Sequence, residues 1–196
     1  MIHAAITETL RYLIPIYPGV TPPAFMVQQA KLFDSISGGR LLMNQVNGTD
    51  QIVRQFGVTV PSDERYAMSA EYWTIFKKLY AGEIASWEGK YFKLGLPPEN
   101  RTPVASGGIF VQDPHTPVWG SGASPEGVRH AGEVLDVYLS YVTRPDILSG
   151  QFGEARSIEA PELTPALSAF KSRAAWYSAF SERSPWARAS SIKRMM

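Results

Sequence analysis

The chain has 196 residues, of which 44% are hydrophobic and 19% charged, and this length and composition suit a single globular domain with a sizeable core. Its formal net charge of +1 provides no basic field for nucleic acid or for an anionic membrane surface, so neither is expected as a partner. The absence of cysteine excludes disulfides, thiolate metal sites and a cysteine nucleophile from this sequence.

Neither a signal peptide nor a membrane span is predicted. The first ten residues contain no basic region followed by a long apolar run. Further along, charged residues or Gly/Pro pairs interrupt every apolar run well before the length that crosses a bilayer. Together with the lack of cysteine, this pattern predicts a soluble protein of the cytoplasm.

The first half of the chain is predicted to alternate between strands and helices. Residues 10–17 (LRYLIPIY) and 40–46 (RLLMNQV) are short apolar runs typical of buried strands. Between them, apolar residues recur with the period of a helix at residues 24–36, and a Gly-Gly pair then ends the helix. Residues 47–61 are polar and contain glycine, which indicates a long loop.

The second half continues this alternation. Ser62 and the two acids after it begin a helix that a glycine ends, and residues 84–94 are predicted to form a hairpin. Two more strands are predicted at residues 116–120 and 135–141, with a helix capped by Ser124 between them. Because strands that alternate with helices favour βα units and a parallel sheet, the expected fold class is α/β.

The pattern changes after Gly150. Residues 151–196 are rich in alanine, serine and arginine and contain no run of the earlier strand type. We therefore place a domain boundary near residue 150, between a βα domain at residues 1–150 and a divergent tail at residues 151–196. The tail is expected to be either helical or disordered.

Three polar stretches are candidates for ligand binding, and the first lies at residues 119–125 (WGSGASP). Small residues let backbone N–H groups approach an anion, and the helix start that follows supplies free donors and the positive end of its dipole. Ser121 and Ser124 add hydroxyl donors. The other interpretation of this stretch is an ordinary βα turn with a good N-cap.

The second candidate, residues 44–50 (NQVNGTD), lies at the end of a predicted parallel strand. Ligand contacts concentrate where such strands end. Asn44, within the strand, needs hydrogen-bond partners that the edge of a heteroaromatic ligand can supply. Asn-Gly and Thr-Asp are equally common in plain turns, which is the alternative.

The third candidate is the pair Arg65 and Tyr66 at a predicted helix start. Arginine suits bidentate binding of phosphate, and the tyrosine hydroxyl can reach the same group. A solvated first turn with Tyr66 packed inward is the alternative. The three histidines lack metal-ligand spacing, and the sequence contains no catalytic triad, carboxylate pair or nucleotide-binding fingerprint, so no metal site is predicted.

Taken in order, these segments resemble one family. LRYLIPIYPGVTPP, SGGRLLMNQVNGTD, DERYAMSAEYW, WEGKYF and DPHTPVWGSGASPEGVRHAGEVLDVYL are similar to the luciferase-like flavin monooxygenases, and the alkanesulfonate monooxygenase branch matches best. The resemblance covers residues 2–145. It implies a partial (β/α)8 TIM barrel, from about the third to the sixth strand of the luciferase-like barrel, followed by a tail that does not match.

The resemblance also implies a function. Members of this branch bind FMN as FMNH2, which a separate NAD(P)H:flavin reductase supplies, and use O2 to cleave the C–S bond of a small organosulfonate to an aldehyde and sulfite. Relatives form dimers or tetramers, so a homo-oligomer is expected. Two alternatives stay open: an inactive barrel remnant that at best binds flavin or phosphate weakly, and a deazaflavin (F420)-dependent oxidoreductase of the same superfamily.

The family's site positions map onto this chain residue by residue. Asn44 matches the strand asparagine near the flavin ring, and Arg65 and Tyr66 match the pair near the ribityl phosphate. Tyr141 stands where the branch usually has a tryptophan beside the active site. The loop on the phosphate corresponds to Ser121, Gly122, Ala123 and Ser124. This loop departs from the family's Gly-Gly-Ser-Ser by one hydroxyl and keeps the backbone donors.

The resemblance covers only part of the family's barrel. It begins at what resembles the third strand, and the segments that carry the family's substrate-side and proton-transfer residues have no counterpart, so the catalytic residues are unknown. Four parallel strands cannot close an eight-stranded barrel. The chain is therefore expected to be a truncated barrel with exposed sheet edges.

Overall fold

Strands and helices alternate along the chain in the computed structural model, which describes residues 2–95, 111–139 and 145–158. In chain order the elements are α1 (Ile2–Ile6), β1 (Tyr12–Ile16), α2 (Pro23–Ser37), β2 (Leu41–Gln45), α3 (Asp50–Gln55), α4 (Arg65–Ala81), β3 (Trp87–Glu88), β4 (Lys93–Leu94), β5 (Val118–Ser121), α5 (Pro125–Val134), β6 (Val137–Leu139) and α6 (Pro145–Ser157). The α/β class predicted from the sequence is therefore confirmed.

Strands β1, β2, β5 and β6 form one parallel sheet in that order, and β3 and β4 form a separate antiparallel hairpin. The register places Pro15, Asn44, Trp119 and Val137 in one row across the parallel sheet. At least one helix lies in each connection between neighbouring strands, so the carboxyl ends of the strands lie at one edge. This arrangement is part of a (β/α)8 barrel, as predicted.

Local signals in the sequence set the helix boundaries. α2 begins with Pro23, whose fixed φ and missing N–H suit a first helical position. It ends at Gly38, with a φ of 65°, and α4 ends at Gly82, with a φ of 76°. Glycine adopts these left-handed conformations without a Cβ penalty, which explains why both helices end where the sequence predicts.

The main core lies between one face of the parallel sheet and helices α2 and α4. Leu41 and Met43 of β2 and Val118 of β5 point into this core. The largest contribution comes from α4, whose aromatic side chains are at most 1% exposed: Tyr72, Trp73, Phe76 and Tyr80. Their packing fixes α4 against the sheet and thereby fixes the position of the residues at its start.

Asn44 lies on the opposite face of the sheet. Side chains alternate along a strand, so Leu42 and Asn44 point away from the core that Leu41 and Met43 enter. Leu13, which pairs with Leu42 in the register, is 43% exposed. In a closed barrel this face lines the interior, where the ligand site lies at the carboxyl ends of the strands.

Helix α3 occupies part of the segment predicted as a long loop, so that prediction is wrong for Asp50–Gln55. Asp50 lies in its first turn, where a negative charge is favourable against the helix dipole. Val53 packs into a small buried cluster with Val58 and Met68. A six-residue helix has little intrinsic stability, so this tertiary packing decides its formation.

Helix α6, which the sequence analysis does not predict, packs against α5. It runs through Gly150, near which we place a domain boundary from the sequence. The chain divides into two compact units, residues 1–160 and 161–196. Because the second unit lies outside the described residues, the boundary near residue 150 and the character of the tail stay predictions.

Candidate functional site

Two of the candidate stretches follow strands of the parallel sheet, at its carboxyl edge. β2 ends at Gln45 and leads into residues 46–49, and β5 ends at Ser121 and leads into residues 122–124. Through Tyr66, the start of α4 reaches the first turn of α5, the helix that follows the second of these loops. Ligands of parallel α/β proteins bind at this edge, so the sequence-predicted residues lie where a binding site is expected.

The loop after β5 packs tightly on the first turn of α5. A Cβ at Gly122 would lie 2.7 Å from the Cα of Gly127, so this approach requires glycine. The Ser124 Oγ accepts a hydrogen bond from the Gly127 N–H at 3.1 Å and caps the helix. Among the described residues, none accepts a hydrogen bond from the N–H of Ala123 or Glu126. Such free donors at the positive end of a helix dipole favour a phosphate group.

Tyr66 brings the start of α4 to the same loop. A Cβ at Gly127 would lie 2.7 Å from the Tyr66 Oη, so the hydroxyl lies against the first turn of α5. The Tyr66 ring packs on the ring of His130, with 5.4 Å between centroids. Within the described part of the chain the hydroxyl has no hydrogen-bond partner, which leaves it available to a ligand at the loop.

Arg65 has a protein partner. Its guanidinium forms an ion pair with the carboxylate of Asp50, the first residue of α3. The Arg65 side chain is only 10% exposed, whereas that of Asp50 is 51% exposed. The pair ties the segment after β2 to the start of α4, and Asp50 competes with any anionic ligand for this guanidinium. A contact between Arg65 and a phosphate stays a prediction.

Asn44 lies one strand away from the loop, in the row that contains Trp119. It is partly exposed on the barrel-interior face, and its amide hydrogen-bonds to no other residue that the structure describes. An amide offers both a donor and an acceptor, which suits the edge of a planar heteroaromatic ring. The indole of Trp119 provides an apolar neighbour for such a ring.

A buried polar network connects the elements around the site, and two of its members, Ser69 and His130, are not among the candidate site residues predicted from the sequence. The His130 Nε2 lies 2.8 Å from the Gln45 Oε1 and 3.3 Å from the Ser69 Oγ. Burial, with a smaller contribution from the positive Lys77, lowers the pKa of His130 to about 4. The available signal is Gln45 itself, a polar residue at a core-facing strand position that needs a buried partner.

The predicted site residues therefore differ in their positions and in their partners. The structure brings the Tyr66 hydroxyl to the first turn of α5, next to the loop that contains Ser121, Gly122, Ala123 and Ser124, and it places Asn44 on the adjacent strand. It gives Arg65 a carboxylate partner. Tyr141, the substrate-side candidate, lies outside the described residues, and its role stays a prediction.

Over the same described ranges, the structure contains neither a candidate metal site nor a candidate membrane span. No group of three histidine or acidic side chains there could hold a metal ion. None of the helices there combines the length and the apolar character needed to cross a membrane.

The fold defines a (β/α)8-barrel protein whose candidate site lies at the carboxyl ends of the strands. Residues 2–161 match the family described as luciferase-like monooxygenase, and the chain belongs to that family. The superfamily inferred from the order of the sequence motifs is therefore confirmed.

Several solved structures share this fold. The monooxygenase RslO1 from Streptomyces bottropensis has 21% sequence identity and a TM-score of 0.62, with 82% of this chain and 49% of that chain covered. The oxygenating constituent of 3,6-diketocamphane monooxygenase from Pseudomonas putida, in complex with FMN, has 18% identity and a TM-score of 0.61, with 82% and 48% covered. The coenzyme F420-dependent tetrahydromethanopterin reductase from Methanopyrus kandleri has 18% identity and a TM-score of 0.62, with 79% and 46% covered. The chain thus spans about half the length of these solved relatives.

The residues at the candidate site fit a flavin mononucleotide. Glycine at residue 122 lets the loop pack against the first turn of α5, and the Tyr66 hydroxyl lies against the same turn. The Nδ2 of Asn47, at the exit of β2, is buried without a hydrogen-bond partner among the described residues. Backbone donors and a free hydroxyl suit the phosphate, and the Asn44 amide suits the ring edge.

Proposed function

We propose that this chain holds FMN as part of a flavin-dependent monooxygenase that acts on a small organosulfonate. The observation that supports this best is the meeting of the Tyr66 hydroxyl with the first turn of α5, beside the loop after β5. Residues from α4 and α5 converge there on one exposed loop with free N–H groups. Membership of the luciferase-like monooxygenase family makes a flavin the expected ligand.

Each candidate residue has a distinct task in this proposal. The backbone N–H groups of residues 121–124 and the Tyr66 hydroxyl bind the phosphate, and glycine at residue 122 keeps the loop close to α5. Asn44 orients the flavin ring by hydrogen bonds to its edge. Arg65 contributes a positive charge near the phosphate, weakened by its pairing with Asp50.

Reduced FMN supplies the electrons with which O2 is activated for oxygenation. With an alkanesulfonate, the balanced products are an aldehyde, sulfite, water and oxidised FMN. The order of the sequence motifs supports this substrate class, a separate NAD(P)H:flavin reductase, a homo-oligomer and a cytoplasmic location. The described residues of this chain bind and orient the flavin, and none of them is assigned as the catalytic acid or base.

Flavin titration of the purified chain tests the proposal. We expect FMN to bind in the micromolar range and riboflavin, which lacks the phosphate, to bind about ten-fold more weakly. With a flavin reductase and an alkanesulfonate, sulfite release is then measured. Binding with sulfite release supports the full proposal, whereas a chain without flavin affinity would show it to be an inactive barrel remnant.

A deazaflavin coenzyme is the second candidate ligand, because a coenzyme F420-dependent reductase is among the solved structures with this fold. FMN ends in a free phosphate monoester, whereas F420 carries its phosphate as a diester. The free N–H groups at the start of α5 favour the more highly charged monoester. Competition between FMN and F420 for the chain distinguishes the two, and preferential binding of F420 would reverse the assignment.

A further inference from the structure

His130 joins the three elements that surround the candidate flavin site. It lies on α5, the helix that follows residues 121–124, and is only 3% exposed. These four residues form the loop proposed to bind the phosphate, called here the phosphate loop. The His130 Nε2 is 2.8 Å from the Oε1 of Gln45, the residue next to Asn44 on β2. Its ring packs on that of Tyr66 in α4, with 5.4 Å between centroids. From α5, the His130 side chain therefore contacts both strand β2 and helix α4.

The position of Gln45 is adapted to this contact. Leu41 and Met43, the preceding core-facing residues of β2, are apolar, whereas Gln45 is polar and 1% exposed. Its Oε1 lies across Gly120 of the neighbouring strand, where a Cβ would come within 3.1 Å of it. A side chain at residue 120 would crowd the amide, so glycine there makes room for the link between β2 and α5.

The geometry also defines the direction of each hydrogen bond. The Gln45 Nε2 donates to the Asn47 Oδ1 at 2.7 Å, so the Gln45 Oε1 is the acceptor that faces His130. With the amide in this orientation, the imidazole donates through its Nε2–H, in the neutral tautomer with the proton on that nitrogen. The hydrogen bonds thus continue from His130 through Gln45 to Asn47, in the loop after β2.

We propose that His130 is a positioning residue of the flavin site, which holds the phosphate loop and Tyr66 in register with the strand that carries Asn44. An apolar pair at residues 45 and 130 would fill the same space and avoid the burial of polar groups. What the polar pair adds is a directional contact that accepts one placement of α5 against β2. The inference rests on the proposed flavin binding, and it concerns the affinity for the phosphate-bearing ligand.

The test compares FMN and riboflavin affinities of His130→Phe and His130→Gln with those of the unaltered chain. Phenylalanine keeps a ring against Tyr66 and removes the donor, and glutamine keeps an N–H donor. We expect His130→Phe to weaken FMN binding about ten-fold and riboflavin binding much less, because the phosphate loop loses its register. His130→Gln should restore part of the FMN preference.

His115 provides the matched control. It is also a buried histidine, and its Nδ1 lies 3.0 Å from the Thr116 oxygen, but it precedes β5 at the opposite edge of the sheet. We expect His115→Phe to lower the melting temperature and to leave the FMN-to-riboflavin affinity ratio of the folded protein unchanged. If His130→Phe does not fold, Gln45→Met breaks the same link from the strand and should give the same loss.

The outcomes separate the inference from the proposed function. An FMN preference that falls in His130→Phe and stays constant in His115→Phe supports the positioning role. An equal effect of the two substitutions, or an unchanged preference in folded His130→Phe, shows that His130 is only a core residue. If the unaltered chain itself binds no FMN, the proposed function fails and the inference fails with it.

Discussion

The hydroxyl of Tyr66 lies so close to Gly127 that a Cβ at residue 127 would stand 2.7 Å from the Tyr66 Oη. Tyr66 belongs to the first turn of α4 and Gly127 to the first turn of α5, and the contact places both beside the loop after β5. A Cβ at residue 127 would also stand 2.8 Å from the Cα of Gly122, so either the tyrosine or the loop after β5 would have to move. The glycine therefore allows the Tyr66 hydroxyl and this loop to approach the same turn of α5.

The substitution Gly127→Ala tests this relationship. Displacement of the Tyr66 hydroxyl or of the loop at Gly122 disturbs the proposed phosphate site, so we expect FMN affinity to fall about ten-fold in a flavin fluorescence titration. Gly153→Ala in α6 is the matched control, because nothing lies within 4 Å of a Cβ there. It should leave FMN affinity unchanged and raise helix stability by up to about 1 kcal/mol. Unchanged FMN binding by Gly127→Ala would show that the contact of Tyr66 and Gly122 with the first turn of α5 does not support FMN binding.

Loss of the ion pair between Arg65 and Asp50 is expected to raise the affinity for FMN and to lower the stability of the fold. Asp50→Asn removes the carboxylate that competes with a phosphate for the guanidinium. We expect FMN binding to strengthen several-fold, while the free energy of unfolding falls by about 1 kcal/mol or less because Asp50 is half exposed. Titration and urea denaturation measure the two effects. Weaker FMN binding at unchanged stability would mean that the pair itself shapes the site.

The Ser124 cap of α5 predicts a loss of stability. Ser124→Ala leaves the Gly127 N–H without its side-chain acceptor, so urea denaturation should show a loss of about 1 kcal/mol. Ser121→Ala is the comparison, since Ser121 is exposed at the end of β5 and caps no helix. Equal stability of the two variants would contradict the capping role.

The buried His130 predicts a loss of stability in acid. Burial lowers its pKa from 6.5 to about 4, so below pH 6.5 the unfolded chain binds a proton that the folded chain does not. The free energy of unfolding should therefore fall as the pH is lowered from about 6.5 towards 4, by about 3 kcal/mol in all, and this contribution should stay constant below that range.

Urea denaturation between pH 7.5 and 4.5 checks this prediction, with His130→Gln as the non-ionising comparison. Burial also lowers the pKa of His115, which acts in the same direction. Both proteins retain His115, so its effect cancels in the difference between them. The same pH dependence in both proteins would show that His130 does not determine it.

Secondary structure was predictable where local signals operate. Gly38 and Gly82 end their helices in left-handed conformations, and Ser124 caps α5, all as the residue types predict. Helix α3 was not predicted, because its stability comes from the packing of Val53 with Val58 and Met68. Packing of this kind leaves little signal in a six-residue window of polar sequence.

The sequence predicted which residues belong to the candidate site. It predicted much less about their hydrogen-bond and ion-pair partners. The sequence identified Asn44, Arg65, Tyr66 and the loop after β5 through motifs of recognisable chemistry. It did not indicate that Arg65 pairs with Asp50, or that His130 and Gln45 join the site from the core side. His130 and Gln45 lie 85 positions apart, and they meet through the pairing of β2 with β5 and the packing of α5 on α4.

The sequence by itself determined the βα order, the ends of α2 and α4, the family and the residues that could bind a phosphate, because each depends on short stretches whose chemistry acts locally. The tertiary structure decided which of those residues are free. It left the Tyr66 hydroxyl beside Gly127 without a partner among the described residues, and it gave Arg65 a carboxylate. The reason is that hydrogen-bond and ion-pair partners depend on strand register and helix packing, which connect residues far apart in the chain.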